Sequence, residues 1–247
     1  MHGYKYVLPL LTVLAIYHTD AVAAPIGISA CQTISTPGSY MLTNNISAVG
    51  DCMVIATDYV TIDFDGYAIV GNGSGIAIKN NSGSVKKGLV VRNGTIRHFT
   101  AGIDFGGLGV QFTVEKMQVV DNTNIGIGVN SQSTVRDNVV SGNGVGIATS
   151  ARSLVSGNVA VANQDGISAG SGSTVIGNNA SGNSRDGFQL YNGSSVINNT
   201  AQANGRYGFT VECRANLLGN AAVSNTTSNF HLDTTLGACV QAHNLAP

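Results

Sequence analysis

The amino-acid sequence predicts an all-β protein, a single-chain parallel β-helix (a solenoid) of about eight coils. Three observations predict this fold. Units of about 20 residues recur along most of the chain, glycine and asparagine punctuate those units, and only 10% of the 247 residues are charged, against about 25% in an ordinary globular domain. Because poor helix formers dominate, a helical bundle is excluded. An apolar fraction of 43% also excludes a disordered chain.

Columns of like residues define the repeat. Residues 133–152, 153–172, 173–193, 194–214 and 215–237 are five successive units. Two apolar columns run through them: Val135, Val155, Val175, Val196 and Leu217, and Ile147, Ile167, Phe188, Phe209 and Phe230. Two asparagine columns keep the same steps: Asn138, Asn158, Asn178, Asn199 and Asn220, and Asn143, Asn163, Asn183, Asn204 and Asn225. The pattern extends backward with looser spacing, which predicts a β-helix over residues 58–237.

Each unit fits one coil of three short strands. Glycine and asparagine tolerate the positive φ that the turns between strands need. Successive coils lie about 4.8 Å apart, so that like residues stack, and asparagines in a column can form amide hydrogen-bond ladders. We therefore interpret the asparagine columns as structural. Such a stack needs covered ends, and we expect residues 25–57 to cap one end and the tail 238–247 to cover the other.

The N-terminus is typical of an export signal, which we assign to residues 1–24. Val7–Ile16 is an apolar run of about ten residues that precedes small residues suited to cleavage. A membrane span needs roughly 20 apolar residues, and the sequence contains no such stretch. We expect a secreted protein, extracellular or periplasmic, whose mature chain starts near Pro25 and is a monomer.

The four cysteines predict disulfides. Four cysteines allow three pairings, and the pairing Cys31–Cys52 with Cys213–Cys239 closes the shortest loops. The absence of C-x-x-C spacing argues against a zinc site, and an oxidising compartment favours structural disulfides over a reactive thiol. The balance of 12 basic and 13 acidic residues argues against a nucleic-acid partner and against a polybasic membrane surface.

Three stretches resemble the right-handed parallel β-helix proteins of the pectin-lyase-like superfamily. They are VTIDFDGYAIVG (60–71), VVRNGTIRHFTAGIDF (90–105) and the later coils with a G-I-x-x pattern. The resemblance implies a right-handed helix over most of the mature chain. The superfamily includes pectate and alginate lyases, polygalacturonases and mannuronan epimerases, together with many members of no known activity. The resemblance therefore implies a secreted protein with a polysaccharide as its partner.

The best functional candidates lie on the outward face of the strand that contains the second apolar column. Outward positions are small in the middle coils, but the C-terminal coils place Gln189, Tyr191, Glu212, His231 and Asp233 there, with Arg185 and Arg206 on the preceding turn. We predict that Glu212, His231 and Asp233 are catalytic, because their side chains can carry or remove a proton. A Glu/Asp pair also suits glycoside hydrolysis. For substrate binding, we predict that the two arginines clamp a uronate carboxylate, that Tyr191 stacks on a sugar ring, and that Gln189 contributes.

Other readings of the same residues remain open. The C-terminal charges can simply face water and discourage pairing at the edge, in which case the protein is a non-catalytic structural or surface-interaction rod. Asp58, Asp63 and Asp65 suggest a Ca²⁺ site, but the D-x-D-G stretch resembles a structural turn, so we predict no metal and no cofactor.

Three further sites and functions rank lower. The basic patch of Arg92, Arg97 and His98 is most simply solvated. Asp104 falls where epimerases of this fold resemble D-P-H-D, but the histidine is missing here, which argues against an epimerase of that type. The outward columns are too mixed in residue type for an ice-binding face.

Overall fold

The computed structural model describes residues 24–81, 85–107 and 109–246. These residues contain 30 strands and no helix. In chain order the strands are β1 (Ile26–Ile28), β2 (Gln32–Ile34), β3 (Gly38–Leu42), β4 (Ile46–Ser47), β5 (Met53–Ile55), β6 (Val60–Asp63), β7 (Ala68–Val70), β8 (Ile76–Asn80), β9 (Lys86–Lys87), β10 (Val90–Arg97), β11 (Ala101–Phe105), β12 (Gly109–Val110), β13 (Thr113–Val120), β14 (Ile125–Val129), β15 (Thr134–Arg136), β16 (Val139–Ser141), β17 (Val145–Thr149), β18 (Leu154–Ser156), β19 (Val159–Val161), β20 (Asp165–Ala169), β21 (Thr174–Ile176), β22 (Asn179–Ser181), β23 (Phe188–Leu190), β24 (Ser195–Ile197), β25 (Thr200–Gln202), β26 (Tyr207–Glu212), β27 (Asn216–Leu218), β28 (Ala221–Val223), β29 (Ser228–Asp233) and β30 (Val240–Ala242).

The strands wind into a right-handed parallel β-helix with three faces, as the sequence predicts. One face is a ten-stranded sheet that runs in coil order from β2 through β5, β8, β11, β14, β17, β20, β23 and β26 to β29. The other two faces belong to a single 18-stranded sheet. They are joined because β10 is long enough to pair with both β6 and β7 of the preceding coil. Every pairing between named strands is parallel, for example β26 with β29.

The ten-stranded sheet corresponds to ten coils, two more than the approximate number that we expect from the sequence. The additional coils lie at the N-terminal end, where β1 pairs with β3 and β2 pairs with β5 in the parallel register of the later coils. Residues 26–55 lack the glycine and asparagine columns of the body. Their coils are therefore invisible to a search for repeats, although their alternating apolar residues suffice to form strands.

The core of the helix is a set of stacked apolar columns, as predicted. Phe188, Phe209 and Phe230 lie opposite one another on β23, β26 and β29. Their rings stack with centroid separations of 4.6 Å and 4.9 Å, which matches the spacing of adjacent strands. Phe188 and Phe209 are fully buried. Because side chains alternate across a strand, fixing these rings inward directs the residues beside them outward.

Both asparagine columns are buried amide ladders, which confirms their structural role. Asn178 is typical: its side-chain amide donates to the Asn199 carbonyl oxygen at 2.9 Å and to the Val155 backbone carbonyl at 2.9 Å. Its own side-chain oxygen accepts from the backbone and side-chain N–H groups of Asn158, each at 2.9 Å. Each asparagine thus provides hydrogen-bond partners for the polar groups of the adjacent coil. These hydrogen bonds offset the cost of burying the amide groups.

Both predicted disulfides are present, Cys31–Cys52 near the start and Cys213–Cys239 near the end of the described chain. Among the described residues, no helix has the length and apolar character needed to cross a membrane. The predicted export signal, residues 1–24, falls almost entirely on residues 1–23, which lie outside the part of the chain that the structure describes.

Candidate functional site

The C-terminal coils bring polar side chains together on the outside of the ten-stranded sheet. One outward column passes through Gln189, Thr210 and His231, which lie directly opposite one another on β23, β26 and β29. In the neighbouring column, Glu212 on β26 lies opposite Asp233 on β29. Because adjacent parallel strands are about 4.8 Å apart, the functional groups of each column are within reach of the same ligand.

These side chains surround an open cleft of about 270 Å³. The lining residues are Gln189, Leu190, Tyr191, Thr210, Glu212, His231 and Asp233. Five of the seven predicted site residues are therefore gathered around one cleft, while Arg185 and Arg206 do not line it. Leu190 and Thr210 line the cleft without having been predicted. Thr210 is detectable from the sequence as the residue between Gln189 and His231 in the outward column.

The same face is plain in the preceding coils. There the column that leads to Gln189 consists of Gly128, Ala148 and Ser168. Asp104 precedes them in this column, but its carboxylate accepts a hydrogen bond from the Gly106 backbone N–H at 2.8 Å and so closes its own turn. Lys79 lies one coil before Asp104 in the same column and is paired with Asp51. The polar side chains of this face that line the cleft therefore come from the last three coils.

A buried carboxylate lies beneath one side of the cleft. Asp186 is fully buried, and it accepts hydrogen bonds from Gln189 at 3.2 Å, from the Thr210 hydroxyl at 3.3 Å and from two nitrogens of Arg206. Burial disfavours its charged form, but the bonds from Arg206, Gln189 and the Tyr207 backbone N–H outweigh that penalty and lower the pKa of Asp186 below its ordinary value. Asp186 therefore remains ionised and holds two cleft residues in place.

The arginines have partners inside the protein. Arg206 pairs with Asp186, and Arg185 lies 3.3 Å from a carboxylate oxygen of Asp165. A sugar carboxylate would have to compete with these internal partners, so the predicted uronate clamp stays a prediction. The sequence shows the arginines in one column, but it does not show that aspartates of neighbouring turns reach them.

His231 is positioned by an aromatic neighbour. Its imidazole stacks on the Tyr207 ring at a centroid separation of 4.6 Å and an interplanar angle of 17°. The guanidinium carbon of Arg206 lies 5.1 Å from the centre of the Tyr207 ring, and stacking of this kind restricts side-chain motion. Arg206 thus contributes to the site by supporting Tyr207, which in turn supports the imidazole.

The two carboxylates at the rim have different surroundings. The Thr235 backbone N–H donates to Asp233 at 2.9 Å, and the bonds from Thr235 together with the nearby His231 lower the pKa of Asp233 below its ordinary value. The Asn192 side-chain amide donates to Glu212 at 3.4 Å. Asp233 is therefore an ionised carboxylate near neutral pH and can bind a cationic group.

The aspartates of the alternative Ca²⁺ site, Asp58 and Asp63, make structural hydrogen bonds. Asp63 accepts hydrogen bonds from Arg92 at 2.8 Å and from Asn93 at 3.1 Å, and an oxygen of Asp58 accepts from the Lys87 backbone N–H at 3.2 Å. No group of three or more His, Cys, Asp or Glu side chains in the described part of the chain could hold a metal ion.

Comparison with known proteins gives one family and a set of fold relatives. The model of the family described as "Periplasmic copper-binding protein (NosD)" matches residues 44–237. No curated protein sequence matches the chain at a significant level.

Several solved structures share the fold. The A-module of the Azotobacter vinelandii mannuronan C-5 epimerase AlgE4 superposes with a TM-score of 0.60 at 17% identity, covering 84% of this chain and 79% of that one. The A-module of AlgE6 from the same organism gives 0.61 at 17% identity, with coverage of 81% and 73%. An alginate lyase from Paenibacillus sp. gives 0.52 at 14% identity, with coverage of 86% and 94%. At these identities the similarity shows the fold alone.

Proposed function

The chain belongs to the family described as periplasmic copper-binding protein (NosD). From this membership and from the geometry of the cleft, we propose that it is an exported protein that binds a polysaccharide chain in the C-terminal cleft. The observation that carries the proposal is the composition of the cleft. A phenol, an amide, a hydroxyl, an imidazole and two carboxylates converge on about 270 Å³, whereas the preceding coils place only small residues, Gly128, Ala148 and Ser168, in the same column. Sugars are recognised by such combinations of stacking surfaces and convergent polar groups.

Tyr191 is the residue that we expect to contact a sugar ring. Tyr191 is 42% exposed and lines the cleft, so that part of its ring surface is available for stacking. Gln189 and Thr210, held by Asp186, offer polar groups in fixed positions to sugar hydroxyls. The names of the fold relatives, which include a mannuronan epimerase and an alginate lyase, support a polysaccharide as the ligand.

Glu212, His231 and Asp233 are the groups that we propose for acid–base chemistry on the bound chain. Glu212 and Asp233 lie opposite each other on adjacent strands, about 4.8 Å apart at the backbone. Asp233 is ionised, because its pKa is lowered, and His231 is the group that donates the proton to the leaving oxygen.

The copper in the family's name does not fit the residues that the structure describes. Copper prefers thiolate, thioether and imidazole ligands. All four cysteines are in disulfides, Met53 and Met117 are buried in the core while Met41 is half-buried, and no group of three or more His, Cys, Asp or Glu side chains in these residues is placed to hold a metal ion. Copper therefore has no part in the proposed function.

A second candidate is a non-catalytic protein that binds polysaccharide or another surface. The observation that favours it is the internal pairing of both arginines, which leaves no lysine or arginine among the described lining residues to stabilise negative charge on a reacting substrate. In this case the carboxylates and Tyr191 provide affinity, and the rigid coil presents them.

The test is a binding and turnover assay of the purified mature protein with soluble neutral, amino and uronate polysaccharides. Tyr191→Ala should weaken binding about tenfold or more, whereas Tyr59→Ala, a change at an exposed tyrosine of the N-terminal part, should not. If the protein degrades a polysaccharide, the double variant Glu212→Ala/His231→Ala should lose turnover while its melting temperature is maintained. Binding without turnover would favour the second candidate, and the absence of binding to every polysaccharide class would refute the proposal.

A further inference from the structure

The charge of the cleft lining is negative. Among the described residues that line the cleft, Glu212 and Asp233 are the only carboxylates, and none is a lysine or an arginine. The two carboxylates face the same ligand because they lie opposite each other on neighbouring strands. The lowered pKa of Asp233 maintains its charge well below neutral pH. A ligand in the cleft therefore meets two adjacent negative groups beside a histidine.

The nearest arginines do not cancel this charge. Arg206 is paired with the buried Asp186, and Arg185 with Asp165, so each arginine is neutralised inside the turn that precedes the strand. Arg214, two residues after Glu212, retains its positive charge because its guanidinium donates to a neutral group, the backbone carbonyl of Leu236, but it is not among the residues that line the cleft. The negative charge of the cleft thus remains available to the ligand.

Like charges brought together in a binding site are unfavourable, whereas an ammonium between carboxylates forms charge-assisted hydrogen bonds. A chain of uronates would place a carboxylate on every sugar near Glu212 and Asp233. A chain of amino sugars would place an ammonium there instead. The exposed ring of Tyr191 offers a surface on which either the sugar or its cationic group can stack.

We propose that the cleft selects a polysaccharide that carries free amino groups, of the glucosamine class, over one built of uronates. This inference rests on the proposed function, since it names the ligand of the same cleft. It departs from the uronate clamp that the sequence predicts, because the structure assigns the two arginines to Asp165 and Asp186. The carboxylates of Glu212 and Asp233 are the specificity-determining groups.

The experiment compares three oligosaccharides of equal length: a glucosamine oligomer, its fully N-acetylated counterpart, which is neutral, and an oligouronate. Binding is measured by calorimetry at a pH at which the free amines are protonated, at low and at high salt. We expect the glucosamine oligomer to bind about tenfold or more tighter than the N-acetylated one, and the oligouronate to bind weakest. The preference should shrink at high salt, because screening weakens exposed charge pairs.

Two variants assign the preference to the cleft. The double variant Glu212→Gln/Asp233→Asn removes both charges at nearly constant volume. It should bind the glucosamine oligomer and the N-acetylated oligomer with about equal affinity. Asp137→Asn is the matched control, because Asp137 is an exposed turn residue on another face. Asparagine fits its backbone conformation: Asp137 has a φ of 57°, and Asn198, at the equivalent place in a later coil, has a φ of 52°. This control should retain the wild-type ratio of these two affinities. Circular dichroism confirms that each variant is folded.

The possible outcomes separate the two proposals. If the oligouronate binds as tightly as the glucosamine oligomer or tighter, the inference on charge is overturned and polysaccharide binding is retained. Equal affinities for the charged and the N-acetylated oligomer also overturn it. If Asp137→Asn changes the ratio as much as the cleft variant does, the preference is a general effect of surface charge and the inference fails. If no oligosaccharide binds, the proposed function itself is refuted.

Discussion

The carboxylate of Asp186 and the guanidinium of Arg206 form a two-point ion pair beneath the candidate cleft. Arg206 donates from Nε at 2.6 Å and also from one terminal nitrogen, and the Asp186 side chain is completely inaccessible to solvent while that of Arg206 is 41% exposed. The same carboxylate holds Gln189 and Thr210. One buried charge therefore connects the turn to the strand residues that line the cleft.

The Asp186→Asn variant should be less stable and should bind polysaccharide less tightly. The amide that replaces one carboxylate oxygen turns a donor toward Arg206 and cannot accept from all four present partners. Because Arg206 is partly solvated, we expect a loss of about 2 kcal/mol in unfolding free energy, somewhat below that for breaking a fully buried pair. Urea denaturation measures the loss, with the exposed Asp137→Asn as control. Equal stability of the two variants would contradict the role assigned to Asp186.

The stabilising effect of Asp186 should disappear in acid. Its pKa in the folded protein lies below the ordinary value of 3.8. The stabilisation is therefore complete above that value and is lost as the pH falls through the lower, folded pKa. We expect the difference in unfolding free energy between wild type and Asp186→Asn to be constant near neutral pH and to shrink progressively below pH 3.8. A difference that instead grew in acid would mean that the ion pair does not stabilise the fold.

Replacing two adjacent asparagines, Asn178 and Asn179, by alanine should have very different effects on stability. Asn178 is buried in a ladder, whereas the next residue, Asn179, is exposed. Asn178→Ala leaves N–H groups of Asn158 and the Val155 carbonyl without their partners. Buried unsatisfied groups of this kind cost about 1–3 kcal/mol each, so a loss of about 2–4 kcal/mol is expected. Asn179→Ala should change the unfolding free energy by less than about 0.5 kcal/mol. Similar losses would refute the ladder.

Removing either disulfide should lower stability, but only the loss of Cys213–Cys239 should weaken polysaccharide binding. Replacing either pair by serines should lower stability by about 2–4 kcal/mol. The pair Cys213–Cys239 borders the cleft, because Cys213 follows Glu212 and its backbone N–H donates to the Asp233 carbonyl at 2.8 Å. Loss of this pair should also weaken polysaccharide binding, whereas loss of Cys31–Cys52 at the opposite end should not. Equal effects on binding, measured at a temperature where both variants are folded, would argue against a cleft at the C-terminal end.

The repeat made much of this structure predictable. In a parallel β-helix each coil lies on a copy of itself, so a column in the sequence becomes a column in space. The stacks of Asn178 on Asn199 and of Phe188 on Phe209, and the outward column of Gln189, Thr210 and His231, follow from the register of the repeat and the alternation of side chains across a strand.

The sequence by itself therefore determined the fold class, the buried columns and five of the residues gathered around the cleft, because periodic spacing fixes which backbone positions lie over one another. The disulfide pairs followed instead from the choice of the shortest loops. The sequence did not determine the first two coils, whose columns are not periodic, nor the partners of Arg185 and Arg206. Those partners are visible only in the tertiary structure, because a long side chain can pair with any opposite charge within its reach. The pairing depends on distances between turns, here to Asp165 and Asp186, which spacing along the chain does not specify.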